Sequence, residues 1–275
     1  MSATTAETQD NTARVSRFLA GLAESAARLL PPVFLFLAVG VFWQTMVYVL
    51  EIPRYLLPAP TVIFARIIED WRMLFDNGIV TAAAAASGFV IGTAVAVFTA
   101  VCFLYSRVLQ QALFPWAIVI KTIPIIAIAP LLTIWLGFGI QPKIAVAAIS
   151  CFFPTLVNVT RGLKSLDAPV LDFMKIIHAS QAQVFWHARR NAALPYLFSA
   201  MKITVGMSMI GAIVAEFTGA NLGIGTIIVN AGYRQDAVML FSAIIVTSLV
   251  TIAMYYAVIL LEKFALRWPG ANVES

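Results

Sequence analysis

Long apolar runs separated by short polar or glycine-rich joints dominate the chain, and their lengths set the first expectation. A helix rises about 1.5 Å per residue, so roughly 17 to 25 apolar residues cross a hydrocarbon core of about 30 Å. Six runs meet that length, at about 30–50, 79–105, 123–140, 144–160, 203–219 and 238–261. Each must satisfy its own backbone N–H and C=O groups in lipid, which predicts helices. Between the first two runs, Ile63, Ile67, Ile68, Trp71 and Leu74 recur at helical spacing, which predicts a helix lying on the membrane surface. The expected fold is all-α: a polytopic membrane protein of six transmembrane helices over 30–265, preceded by a segment 1–29 and followed by a tail 266–275.

Composition supports this. The 275 residues are 61% hydrophobic and only 11% charged, against about 25% charged in soluble domains. The first thirty residues carry Glu7, Asp10, Arg14, Arg17, Glu24 and Arg28 with no apolar stretch and cleavage site of a secretory signal. The first span is therefore expected to act as its own targeting signal. Cys102 and Cys151 lie inside apolar runs and read as small buried hydrophobes.

Charge assigns the sides. With the N-terminus cytoplasmic, the inner segments hold Arg14, Arg17, Arg28, Arg107, Arg161, Lys164, Lys175, Arg189, Arg190, Lys202, Lys263 and Arg267, twelve in all. The outer segments hold five, Arg54, Arg66, Arg72, Lys143 and Arg234, with Lys121 left near the start of the third span. The excess predicts both termini inside, and makes 161–202 the largest cytoplasmic loop.

Membrane-embedded chemistry would need ionisable groups clustered at depth, and spans one, two, four and six carry no charged residue. No HExxH, GxSxG or GxxxxGK[ST] pattern occurs, and His178 and His187 are nine apart, the wrong spacing for a shared helical face of metal ligands. The chain is thus expected to be no enzyme, with no metal or cofactor of its own. Glu216, near the outer end of span five, is the only acidic candidate for ion coupling. Work for uphill transport would have to come from another subunit. Nothing here points to nucleic acid.

Packing signals remain. Ala84, Gly88, Gly92 and Ala96 form a small-residue stripe at four-residue spacing, suited first to packing within the chain and second to a subunit seam. Pro124 and Pro130 predict a kink or hinge in span three. The stretch "GANLGIG" from Gly219 to Gly225 predicts a tight reversing turn. In the large loop, Pro169 opens a helix with Val170, Phe173, Met174 and Ile177 on one face. A second piece, Gln181 to Arg190, presents Val184, Phe185 and Ala188, and Pro195 starts the next span. Two short helices joined near Ala179 and Ser180 would make a cytoplasmic knob able to seat in a groove of a soluble partner.

These stretches together resemble the membrane permease subunits of bacterial ATP-binding-cassette importers, in the branch that handles nitrate, sulfonates, taurine and pyrimidine-type vitamin precursors. The family's cytoplasmic signature is E-A-A-x-x-x-G, nine residues, a hydrophobic pair and L-P. Asp172 stands for its Glu, Phe173 and Met174 for the two Ala, His178 for the Gly and Arg190-Asn191 for the first Leu-Pro, while Leu194-Pro195 keeps a second. "YLLPAPTVIF", "KTIPIIAIAPLLTIWLGFGIQPKIAVAAISCFFPTLVNVTRGLKSL" and "VAEFTGANLGIG" are similar to family segments in order and spacing.

The resemblance implies a type I importer permease of the bacterial inner membrane, with 161–202 as the coupling-helix loop. Two permease copies would form the pathway, a homodimer before a heterodimer. A cytoplasmic ATPase dimer using ATP and Mg would power it, and a periplasmic or lipid-anchored binding protein would deliver the solute. Asp172, Phe173, Met174, Ile177, His178, Ala179, Ser180 and Phe185 would couple to the ATPase. Lys121, Thr122, Pro124, Asn158, Ser208 and Glu216 would line the pathway, Lys121 matching a basic residue common in the family; its other reading is a side chain reaching up to the membrane interface. Two departures carry expectations: His178 opposes the positive φ that a Gly would adopt, and Arg190-Asn191 alters the second helix's end. The competing reading is a self-contained ion-coupled carrier or channel whose basic loop only sets topology.

Overall fold

The computed structural model describes residues 30–266, and the chain divides into two units, Met1–Ala65 and Arg66–Ser275. The predicted segment 1–29 and nearly all of the tail, with the basic residues counted there, lie outside the described residues. In the first unit, helix α1 (Leu30–Val49) is long and apolar enough to cross a membrane. A turn through Glu51 at φ 48° follows. The Gln44 amide then donates to Thr61 Oγ1 at 3.1 Å and accepts from its N–H at 3.2 Å. Those bonds tie α1 to the start of helix α2 (Pro60–Glu69), which opens on a proline whose missing N–H costs nothing in a first turn.

The second unit is built on α3 (Trp71–Tyr105), α6 (Gln141–Lys164) and α9 (Arg190–Glu216), each apolar enough to span. The small-residue stripe explains their closeness. A Cβ at Gly88 would stand 2.7 Å from Ile144 O, and one at Gly92 would meet the Ala148 backbone, with Ala148 Cα at 3.0 Å. Only glycine lets α3 and α6 approach this way. The stripe therefore serves packing within the chain, flanked by Ala84 and Ala96, both fully buried. Cys151 is buried with Sγ 3.3 Å from Thr204 O, whereas Cys102 is half-buried. Helix α11 (Ala237–Ala265), capped by Asp236 Oδ1 on Met239 N–H at 3.0 Å, adds a further candidate span. The short α10 (Ile224–Tyr233) packs with α11 and with Leu74 around Ile224, Ala231, Met239 and Ala243.

Helix bounds differ from the sequence expectation in three places. The third run, 123–140, is not one helix. Helix α4 (Arg107–Thr122) and helix α5 (Ile125–Leu136) meet at a 99° bend. Pro124 is the cause: it forces Ile123 into extended backbone (φ −72°, ψ 126°) and cannot donate to α4. Twelve residues rise only about 18 Å, so α5 alone does not cross, and among the described residues five helices are long and apolar enough to span, or six if the bent pair is one. Pro130 sits inside α5 without breaking it.

The stripe read as one surface helix is divided between α2 and the first turn of α3, where Leu74 is 1% exposed in the core. The loop 161–202 is also shorter than expected, because α6 continues to Lys164 and the helical run that leads into the next span begins at Gln181. Helix α7 (Ala168–Ile176) is followed by α8 (Gln181–Val184), a π-turn over Phe185–Arg189, and α9. Gln181 to Glu216 is one helical run of 36 residues. The second predicted helix is thus the start of α9's rod. Pro195 lies inside α9 and does not begin it, since Asn191 retains the N–H that a signature proline would lack.

Candidate functional site

The α7–α8 knob is organised by its joint. His178 stands at φ 52°, contrary to the expectation that it would resist positive φ. Its N–H donates to Lys175 O at 2.9 Å, and the Ala179 N–H donates to Met174 O at 2.9 Å. That is the paired 5→2 and 6→1 closure of a helix C-terminus, in which the residue after the cap is left-handed. Histidine is among the residues that tolerate this region. One residue later Ser180 caps α8: its Oγ accepts from Gln183 N–H at 3.3 Å, and Gln183 Oε1 accepts from Ser180 N–H at 2.8 Å. Two helix-end motifs back to back fix the angle between the helices.

None of α7 is buried. Phe173 is 58%, Ile176 74% and Ile177 53% exposed, with Met174 half-buried and Asp172 paired to Lys175 at 2.9 Å on the outer surface. Phe185, predicted to face a partner, instead turns inward. Its ring lies 6.4 Å from Tyr105 and packs on the cluster around Phe103, Leu163 and Ala193, because the π-turn rotates it onto the bundle. Arg189 Nη1 donates to Leu163 O at 2.8 Å, pinning the turn to the end of α6.

The bend between α4 and α5 opens a cavity of about 310 Å³. Lys121, Thr122 and Pro124 line it, opposite Ser150, Phe153 and Pro154 of α6 and Met207 and Ile210 of α9. Lys121 Nζ lies 4.9 Å from the Phe153 ring centroid, a cation–π distance. The other three predicted lining residues are elsewhere. The Asn158 amide donates back to Pro154 O at 2.8 Å, one turn from the cavity. Ser208 is fully buried and donates to Val205 O at 2.8 Å.

Glu216 is not a free coupling carboxylate. Its side chain is 0% exposed and pairs at 3.1 Å with Lys143, itself 5% exposed. Thr81 Oγ1 lies 2.9 and 3.1 Å from the two carboxylate oxygens, and Gly225 N–H donates at 2.8 Å. Lys143 Nζ also donates to Leu222 O, Ile224 N–H to Thr81 Oγ1 at 2.9 Å, and Gly223 N–H to Asn77 Oδ1 at 2.7 Å. The turn from α9 to α10 is clamped onto α3 and α6. Gly223, at φ 122°, permits it, since a Cβ there would collide with the carboxylate. Lys143, Thr81 and Asn77 were missed from sequence. A lysine directly after Pro142 at the head of an apolar helix was the available signal, because charge at such a place demands a partner.

Comparison with known proteins agrees with this architecture. Residues 88–267 match the family described as "Binding-protein-dependent transport system inner membrane component". The riboflavin transport system permease protein RibX of Chloroflexus aurantiacus is 31% identical over 233 residues, 84% of this chain and 87% of that protein. The formylaminopyrimidine transport permease protein ThiX of Halalkalibacterium halodurans is 30% identical over 240 residues, 87% and 96% of the two chains. Among solved structures, an inward-facing form of the MetNI methionine ABC transporter shares the fold at a TM-score of 0.56 and 19% identity, over 74% of this chain and 97% of that one. The chain therefore belongs to the binding-protein-dependent transport system inner membrane component family: it is a multi-pass inner-membrane protein and a non-catalytic permease subunit of an ABC importer, working with an ATPase and a binding protein.

Proposed function

We propose that the knob from Ala168 to Val184 is the surface that seats in the ATPase, and that the cavity at the α4–α5 bend is part of the solute path. The observation that carries the first statement is α7 itself. A nine-residue helix is marginal alone in water, yet this one is held by end motifs while its apolar residues Phe173, Ile176 and Ile177 stay uncovered. A groove in a soluble partner supplies the missing cover. Asp172, Met174, Ala179 and Ser180 shape that surface, whereas Phe185 anchors it from below. ATP and Mg are then used by the partner, and this chain holds no cofactor.

The solute is small. The cavity volume lies at the lower end of the roughly 300–1,000 Å³ range of ligand pockets, with mainly apolar walls and one cation, Lys121. Among nitrate-, sulfonate- or taurine-like anions and pyrimidine or aromatic vitamin precursors, those walls favour the planar heterocycles. The names of two relatives, for riboflavin and formylaminopyrimidine, point the same way. The permease pairs with a second copy of itself, with both termini cytoplasmic. The test of docking is Phe173→Asp in the complex co-expressed with its ATPase. The ATPase should be lost on purification while the permease remains in the membrane; unchanged co-purification refutes the docking surface. The ligand retained by the isolated binding protein tests the solute class.

A further inference from the structure

A second cavity, of about 380 Å³, lies between α4 and the last turns of α6, lined by Gln110, Phe114, Val157, Thr160, Arg161 and Lys164. On α6, Val157, Thr160, Arg161 and Lys164 follow one face at i, i+3, i+4 and i+7; on α4, Gln110 and Phe114 are one turn apart. Both walls grade in the same direction. Polar Gln110, Arg161 and Lys164 stand at the helix ends, and apolar Phe114 and Val157 stand one to two turns deeper. We propose that this cavity binds the phosphodiester headgroup of an anionic phospholipid, its acyl chains running down past Phe114 and Val157.

Donors are available and unspent. Lys164 Nζ commits one N–H to Gln110 Oε1 at 2.7 Å, leaving two. Arg161 makes no ion pair or hydrogen bond among the described residues, so its planar fork is free to take two phosphate oxygens. Thr160 is only 7% exposed, and its hydroxyl has no partner, although a helical threonine ordinarily bonds the carbonyl a turn back. A buried hydroxyl left unbonded on the wall of a basic cavity calls for an acceptor from outside the chain.

The end of a helix carries partial negative charge, which opposes an anion, but here two of its terminal carbonyls are already occupied. Gly162 O accepts from Ser165 N–H and Oγ, and Leu163 O accepts from Arg189. Two full positive charges then prevail. Access from the bilayer is open along α4, whose Leu113, next to the lining residue Phe114, is 43% exposed. Basic pockets between membrane helices near the interface recognise lipid headgroups by these means.

The experiment uses the full permease–ATPase complex in detergent, titrated with phosphatidylglycerol, with phosphatidylcholine, or with inorganic phosphate, and read by native mass spectrometry. Phosphatidylglycerol should be retained at least about tenfold more strongly than phosphatidylcholine. Arg161→Gln with Lys164→Gln should abolish that preference, and the isosteric Thr160→Val should weaken it about threefold with an unchanged melting midpoint. Equal retention of the two lipids overturns the proposal, as does full phosphatidylglycerol preference in the double variant. Displacement of the lipid by millimolar inorganic phosphate also overturns it, assigning the cavity to a free anion.

Discussion

Replacing Lys143 by methionine removes the ammonium from a buried cluster while keeping most of the stem volume, so the loss is chiefly electrostatic. Glu216 would keep only the Thr81 hydroxyl and the Gly225 N–H at 2.8 Å. Leu222 O would lose its donor. Breaking a buried pair from one side costs about 3–5 kcal/mol, including about 1–3 kcal/mol for each buried group left unpaired. At roughly 2–4 °C per kcal/mol for a chain of this size, the unfolding midpoint should fall by about 6–20 °C. Glu216→Gln added to Lys143→Met removes the stranded charge, and the double variant should regain more than about 2 kcal/mol. Fluorescence-monitored thermal unfolding of the purified chain in detergent reads both. A fall below about 4 °C for Lys143→Met, or simple additivity in the double variant, refutes the account of the cluster.

Other expectations are local. His178→Gly relieves a left-handed residue worth about 1 kcal/mol, so amide exchange across 168–184 should slow by roughly threefold to fivefold; faster exchange would contradict the strain. Gly92→Val forces a side chain against the Ala148 backbone and should lower stability by about 1–3 kcal/mol or more, whereas Gly206→Ala, with nothing within 4 Å, should be neutral or gain up to about 1 kcal/mol; equal melting of the two variants would contradict the close approach. Lys121→Ala removes the cation that stands over Phe153 at the cavity and should cut solute uptake about threefold or more; unchanged uptake would assign Lys121 to the interface.

Long apolar periods were legible because lipid permits little else, and α1, α6 and α11 follow them closely, whereas α9 begins well before its apolar run. Helix α4 was hidden, since Gln110, Gln111 and Pro115 dilute its apolar pattern below that of a span. Pro124 was recognisable as a break, but a bend of 99° depends on how α5 packs against α6 and α9. The signature's glycine position was legible in the family pattern. That His178 would occupy the same backbone region depends on the hydrogen bonds closing around it, which no residue type announces. Lys143 counted as a topological charge because its partners are remote in sequence: Glu216 lies 73 residues away and joins it only after α6 and α9 pack. Phe185 looked like knob surface because α-helical spacing, not a π-turn, was assumed.

The helical run from Gln181 to Glu216 has a mechanical meaning. At about 1.5 Å per residue it is a strut of roughly 54 Å, with the capped root of the knob at one end and the clamped carboxylate at the other. Its interior contains a compliant element beside the knob, the π-turn over Phe185–Arg189, with Pro195 interrupting the hydrogen bonds six residues further on. A tilt imposed on the knob can be absorbed there or passed onward. Whatever is passed onward reaches the Lys143–Glu216 clamp as rigid displacement, so the turn governs how much of a partner's stroke is delivered to the far end.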